Sequence, residues 1–308
     1  MKITALAGGA GAAKFLKGLQ KAASPSDITI IGNTGDDAVI HGLHVSPDLD
    51  IVTYTLAGLV GKAGWGFASD TTHVLDQLAI YGVDTWFKLG DRDLATHLIR
   101  TQWLAAGLTL SEITGRIAKA LEVEALILPM TNSSVRTKLK TAAGAERDFQ
   151  DYFVRLGHSE QITSVRFEGA ADSAPAPGVI DSLLGADCII VCPSNPVISI
   201  GPILAVPGIR STLAQVREKV VAISPIVAGK ALKGPADKLL PLLGVQATCA
   251  GVAALYADIC TLFVADHRDS MNRQDIENTG LTPIFLETVM GDEAVASDLA
   301  AAILSLYP

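Results

Sequence analysis

No C-x-x-C motif links the four cysteines of this 308-residue chain, Cys188, Cys192, Cys249 and Cys260. A disulfide framework or thiolate metal site is therefore not indicated, and buried free thiols are expected. No run of 18 apolar residues occurs, and the N-terminus lacks a basic segment followed by an apolar stretch. Neither a membrane span nor a leader is expected, and the chain reads as a soluble protein of the cytoplasm. Positive charge is scarce: 24 Lys and Arg face 32 Asp and Glu, for a net charge of −8 and a pI near 5.2. Nucleic-acid binding runs on basic surfaces, so that class is disfavoured, and an anionic ligand needs a local pocket. Internal repeats, low-complexity linkers and a convincing Ser/His/Asp or Cys/His arrangement are also missing. What remains is 49% hydrophobic and 18% charged, enough to bury one large core or two modest ones.

The most informative segment is residues 3–21, ITALAGGAGAAKFLKGLQK. It reads as a buried strand, a glycine-dense turn and an amphipathic helix. Gly8, Gly9 and Gly11 let the backbone approach a ligand closely, and Ala10 lies among them. The following helix offers free N–H groups and the positive end of its dipole to an anion. The dinucleotide fingerprint G-x-G-x-x-G fits only in part, because Lys14 stands where its third glycine belongs. The Walker pattern G-x-x-x-x-G-K-[ST] fails as well. A lysine one turn into the helix suits a phosphate or diphosphate better than a nicotinamide cofactor. A glycine turn needed only for packing is the plainer reading.

Apolar runs at 3–7, 28–31 and 188–192 are expected as parallel strands, with 125–128, 220–223 and 262–265 as weaker members. Helical patterns at 12–22, 94–106, 111–120 and 209–217 separate them. Such alternation predicts an α/β fold, a parallel sheet with helices on both faces. Residues 60–120 read as mostly helical and 132–170 as polar, with an antiparallel hairpin around 134–140 turning at 143–145. One domain spanning 1–308 with an inserted cap over about 60–170 is expected, and a ligand cleft between cap and sheet.

Strand-end loops hold the remaining polar residues. Asn33-Thr34-Gly35-Asp36-Asp37 follows the second strand. Its paired carboxylates beside a phosphate site suggest magnesium, held by Asp36 and Asp37. A helix N-cap followed by a first-turn acid is the competing reading. Ser46-Pro47-Asp48-Leu49-Asp50 reads as a rigid turn; if extended, its two acids point to opposite sides, so only one enters the cleft. Tyr54, four residues after Asp50, is a hydroxyl that this carboxylate could orient or deprotonate. Lys88-Leu89-Gly90-Asp91-Arg92-Asp93 precedes a helix that Asp91 or Asp93 could cap, and it presents Lys88 and Arg92 to an anionic or carbonyl-bearing ligand. His97, inside that helix, is expected as a core histidine. Ser194, Asn195, Ser199 and Gly201 lie in a proline-stiffened loop suited to a base or phosphate, or to a purely structural turn.

GGAGAAKF, NTGDD, SPDLD, KLGDRDLATH, ILPM, PSNPVISIGPIL and SPIVAGKALKGPADK, in that order from residue 7 to about 240, together resemble the 2-phospho-L-lactate transferase family of deazaflavin coenzyme biosynthesis. The resemblance implies a Rossmann-like core, usually in a homodimer, and a magnesium-dependent transfer. The donor would be a guanosine diphosphate-linked lactate, or its phosphoenolpyruvyl or phosphoglyceryl equivalent. The acceptor would be the terminal ribityl hydroxyl of the deazaflavin Fo, with GMP leaving, in the route to coenzyme F(420). It also implies that Asp50 and Lys88 contact the acceptor and that the acidic loop, chiefly Asp36, binds metal. With Arg92, Asp36 and Asp50 form the expected catalytic set. Gly8, Gly9, Ala10, Gly11, Lys14, Ser194, Asn195, Ser199 and Gly201 form the expected nucleotide site. A related regulatory group, which binds a nucleotide sugar without known catalysis, shares several of these motifs, and the intact KLGDRD segment favours the enzyme. An NAD-dependent dehydrogenase is disfavoured by Lys14 and by Asn33 in place of a ribose-binding acid.

Overall fold

A computed structural model describes residues 1–61, 64–232 and 234–307. Seven parallel strands form the main sheet: β1 (Ile3–Ala7), β2 (Ile28–Gly32), β3 (Leu126–Pro129), β4 (Cys188–Val191), β5 (Val220–Ile223), β6 (Leu262–Asp266) and β7 (Thr282–Leu286). They lie in the order β7-β6-β5-β4-β1-β2-β3. Chain order therefore reverses between β1 and β4, which makes the carboxyl ends of these two strands the switch point where open α/β sheets bind ligands.

Alternation along the strands explains the two apolar layers. Leu6, Ile31, Leu128 and Val191 point to one face, while Ala5, Ile30, Ile127 and Ile190 point to the other. Both faces are covered, so the strands read as continuous apolar runs. All four cysteines are free and buried, and burial pushes the Cys249 thiol up to about 11. The six expected strands are present within a residue or two. The seventh, β7, went unread because Pro283 interrupts a short run. It is an edge strand, where a missing N–H is tolerated, and the opposite edge strand β3 likewise carries Pro129.

Helices α1 (Gly9–Ala22), α2 (Pro47–Leu56), α3 (His73–Ile80), α4 (Asp91–Ala105) and α5 (Leu110–Ala120) carry the first half of the chain. The stretch expected as one cap, about 60–170, is divided: β3 lies inside it and belongs to the main sheet. One excursion is the helical set α3–α5. The other is an antiparallel sheet in which Arg136–Thr141 pairs with both Glu146–Asp148 and Ile162–Glu168. The segment SPDLD is no extended turn. Pro47 occupies the first turn of α2, where its fixed φ and missing N–H suit a helix start. Among the described residues no single helix is long and apolar enough to cross a membrane.

Candidate active site at the switch point

Three loops meet at the head of α1. The Gly8 N–H donates to Ser194 Oγ at 3.2 Å, joining the loop after β1 to the loop after β4. A Cβ on Gly8 would stand 2.5 Å from Asp48 Oδ2 and 2.8 Å from Ser199 Cβ, so only glycine lets these neighbours close in. The Gly9 N–H donates to Asp48 Oδ1 at 2.8 Å. Asn33 Nδ2 donates to Asp48 Oδ2 at 2.8 Å and to the Ile198 carbonyl at 3.2 Å. Asn33 thus ties the acidic loop to α2 and to the proline-stiffened loop. Ala10 and Gly11, half-buried, complete the first turn of α1.

Asp36, Asp37 and Asp48 are all buried here. Burial holds Asp36 well above the usual carboxylate range, and the charges of Asp48 and Asp37 push the same way. Its Oδ1 has no hydrogen-bond partner among the described residues. Burial likewise raises Asp37, although His44 Nε2 at 2.9 Å and Ser46 Oγ at 2.8 Å both meet its Oδ2. Asp48 is pushed up to about 6 by burial, against the opposing bonds from Asn33 and the Gly9 N–H. The helix-cap reading of Asp36 and Asp37 fails, because the loop continues into the short strand Ala38–Ile40 and heads no helix. Among the described residues no three acidic, histidine or cysteine side chains converge as a complete metal shell. An orphaned carboxylate oxygen among like charges does fit a divalent cation of the magnesium type, which takes one or two carboxylates and completes its shell with phosphate oxygens and water.

Asp48 and Asp50 part company because residues two apart on a helix face nearly opposite sides. Asp48 faces the glycine loop, whereas Asp50 faces α4 and is gripped by both terminal nitrogens of Arg100, Nη1 reaching Oδ2 at 3.0 Å. Tyr54 does not donate to Asp50. Its hydroxyl donates to Asp93 Oδ1 at 2.9 Å, and burial raises the phenol far above its ordinary range, so it keeps its proton. His97 is a core residue as expected, with Nε2 at 3.3 Å from Asp93.

Lys88 and Arg92 are exposed at the start of α4. The Arg92 guanidinium lies 4.5 Å above the Phe67 ring, which itself stands 4.2 Å from the Tyr54 ring. Asp91 does not cap its own helix. It accepts the N–H groups of His73 and Val74 at the start of α3, while Asp70 accepts those of Arg92 and Asp93 at the start of α4.

The other expected nucleotide residues divide. Ser194 and buried Ser199 lie against the glycine loop. Asn195 Oδ1 is taken up by the Val197 N–H at 2.9 Å, a structural turn. Gly201 packs against the Phe167 ring rather than the glycine loop. The exposed Lys14 reaches the Met290 carbonyl at 3.4 Å. Asn33, His44 and Arg100 escaped notice as site residues. The sequence offers Asp48 and Asp50 as alternatives for the cleft, and only helical phase, once Pro47 is read as a helix start, separates them.

Comparison with known proteins agrees with this architecture. Over 98% of the chain the fold superposes on a Bacillus halodurans protein, covering 99% of that chain with a TM-score of 0.65 at 19% identity. A phosphoenolpyruvate transferase of Streptomyces griseus is 42% identical over 312 residues, 99% of this chain and 98% of that protein. One from Streptomyces coelicolor is 48% identical over 261 residues, 83% of this chain and 82% of its own. One from Mycobacterium tuberculosis is 39% identical over 322 residues, covering 98% and 97%. The model of the family described as 2-phospho-L-lactate transferase CofD matches residues 3–299, and the chain belongs to that family.

Proposed function

We propose that the protein moves a phosphoenolpyruvyl group from a guanosine diphosphate-linked donor to the terminal ribityl hydroxyl of Fo, releasing GMP. The names of the Streptomyces and Mycobacterium relatives favour the enolpyruvyl donor over its lactyl and glyceryl equivalents. In this reaction the acceptor oxygen forms a bond to the donor's distal phosphorus. The bond from that phosphorus to the oxygen bridging to GMP breaks, GMP departs with the oxygen, and the hydroxyl proton passes to solvent.

The observation that carries this reading is the Asp36 carboxylate, buried and with one oxygen unpartnered among the described residues, beside Asp48 at the head of α1. Such a site repels a diphosphate unless a cation lies between them. Bound there, magnesium would neutralise charge on the transferring phosphoryl group. Asp36 would hold it, with Asp48 as its stronger neighbour and Asp37 beyond. The N–H groups of α1 and the Ser194 and Ser199 loop would orient the diphosphate. Asp50, Lys88 and Arg92 would face the acceptor.

Mass spectrometry after incubating the protein with Fo, magnesium and each of the three donors tests the reading. A product from the enolpyruvyl donor, absent when magnesium is chelated, is expected. No product from any donor rejects it.

A further inference from the structure

We propose that Arg100 is a positioning residue for the acceptor site, fixing Asp50 so that its remaining lone pairs face the hydroxyl groups of a polyol chain. The inference rests on the acceptor reading given above and adds a residue to it.

Arg100 is 2% exposed and Asp50 5%. Nη1 donates to Asp50 Oδ2 at 3.0 Å, and Nη2 grips Oδ1. The same Nη1 lies 3.1 Å from His97 Nδ1 and 3.4 Å from the His44 carbonyl. The guanidinium therefore touches α2, its own helix α4 and the strand Leu43–Val45 at once. His44 in turn reaches Asp37 with its imidazole. One buried cation thus links the acidic loop to α4, the helix that begins at Asp91 just after Lys88.

Stability alone does not account for such a group. Buried ion pairs are often matched or bettered by apolar residues of similar volume, because desolvation offsets the attraction. Geometry does account for it. An ionised carboxylate has about four acceptor positions, and a planar fork occupies one on each oxygen. The two that remain point away from the fork, in directions that the fork fixes. A lysine carries the same charge but no rigid fork.

The test measures Fo and GDP binding by calorimetry for the parent, Arg100→Lys, Asp50→Asn and the double variant Arg100→Gln/Asp50→Asn. Circular dichroism melts confirm that each variant is folded. The double variant removes both charges of the buried pair together, so it serves even if Arg100→Lys does not fold. The expected results are a loss of Fo affinity of about tenfold or more in Arg100→Lys, with GDP affinity within about twofold of the parent. The double variant should lose no more Fo affinity than Asp50→Asn alone, the non-additivity of residues acting through one another. Unchanged Fo binding in Arg100→Lys, a parallel loss of Fo and GDP binding, or a double variant at parental affinity or well below Asp50→Asn overturns the proposal. A parent that does not bind Fo at all overturns the acceptor reading itself, and the proposal with it.

Discussion

Asp48 Oδ1 accepts the Gly9 N–H at 2.8 Å, which places a carboxylate where the head of a helix would otherwise receive an anion. A phosphate approaching this point meets negative charge first. The replacement Asp48→Asn keeps an oxygen for the Gly9 N–H and removes the charge. Turnover at low magnesium is expected to fall about 100-fold or more, partly recovering as magnesium is raised, with the fold intact. Steady-state kinetics across a magnesium titration check this, and a variant with the parent's magnesium dependence refutes it.

Asp36→Asn separates a functional carboxylate from a structural one. The residue heads no helix, its Oδ1 is unpartnered among the described residues, and its charge is opposed by two neighbours. Removing that charge is expected to leave the metal-free protein at least as stable while lowering turnover about 100-fold or more. Thermal melts and product assays on the same preparation give both quantities. A clear drop in melting temperature with activity retained would reverse the assignment.

The same carboxylates set a pH dependence. Asp48 is raised from 3.8 to about 6, and Asp36 and Asp37 are raised too. A carboxyl whose folded pKa is raised gives stability that is full below the unfolded value and lost as pH climbs through the folded one. The metal-free protein should therefore melt at a higher temperature near pH 5 than near pH 7.5. At about 1.4 kcal/mol per unit, and with only the stretch from pH 5 to about 6 lying inside this range, Asp48 alone accounts for an effect on the order of 1 kcal/mol. Magnesium should flatten the trend by stabilising the high-pH end. Calorimetric melts with and without chelator decide it; a metal-free protein more stable at the higher pH contradicts the argument.

Helices α3 and α4 cap each other. Asp91 serves the start of α3 and Asp70 the start of α4, and a Cβ on Gly90 would overlap the Asp70 carboxylate. Asp70→Ala and Asp91→Ala are each expected to cost about 1 kcal/mol, the usual contribution of a cap. Because both caps bind the same pair of helix starts, the double variant should cost less than the sum of the two. Urea melts of the three variants measure this, and strict additivity would show the caps to be independent.

The sheet was legible because strands buried on both faces leave uninterrupted apolar runs, as at Ile3–Ala7 and Val220–Ile223. The glycine loop and the acidic loop were legible for a related reason: polar residues at the carboxyl end of a buried strand have few purposes. What stayed hidden depends on distance in the chain. Asp91 caps a helix that starts 18 residues earlier, and Arg100 finds Asp50 across 50 positions. No local pattern encodes such pairings. The division between Asp48 and Asp50 was closer to the surface of the sequence, since a proline after serine is a helix start, and helical phase alone sends the two acids apart. Pro283 concealed β7 because proline counts against a strand until the strand is known to lie at an edge.

Proline stands in both outer strands of the main sheet, Pro129 in β3 and Pro283 in β7. Each removes a backbone donor from the row that another chain would have to match. Neither border offers an unbroken template for an added strand, which protects the chain from ribbon-like self-association while its parallel sheet is still forming. Both prolines thus work against an edge-to-edge joining of the main sheets of two copies.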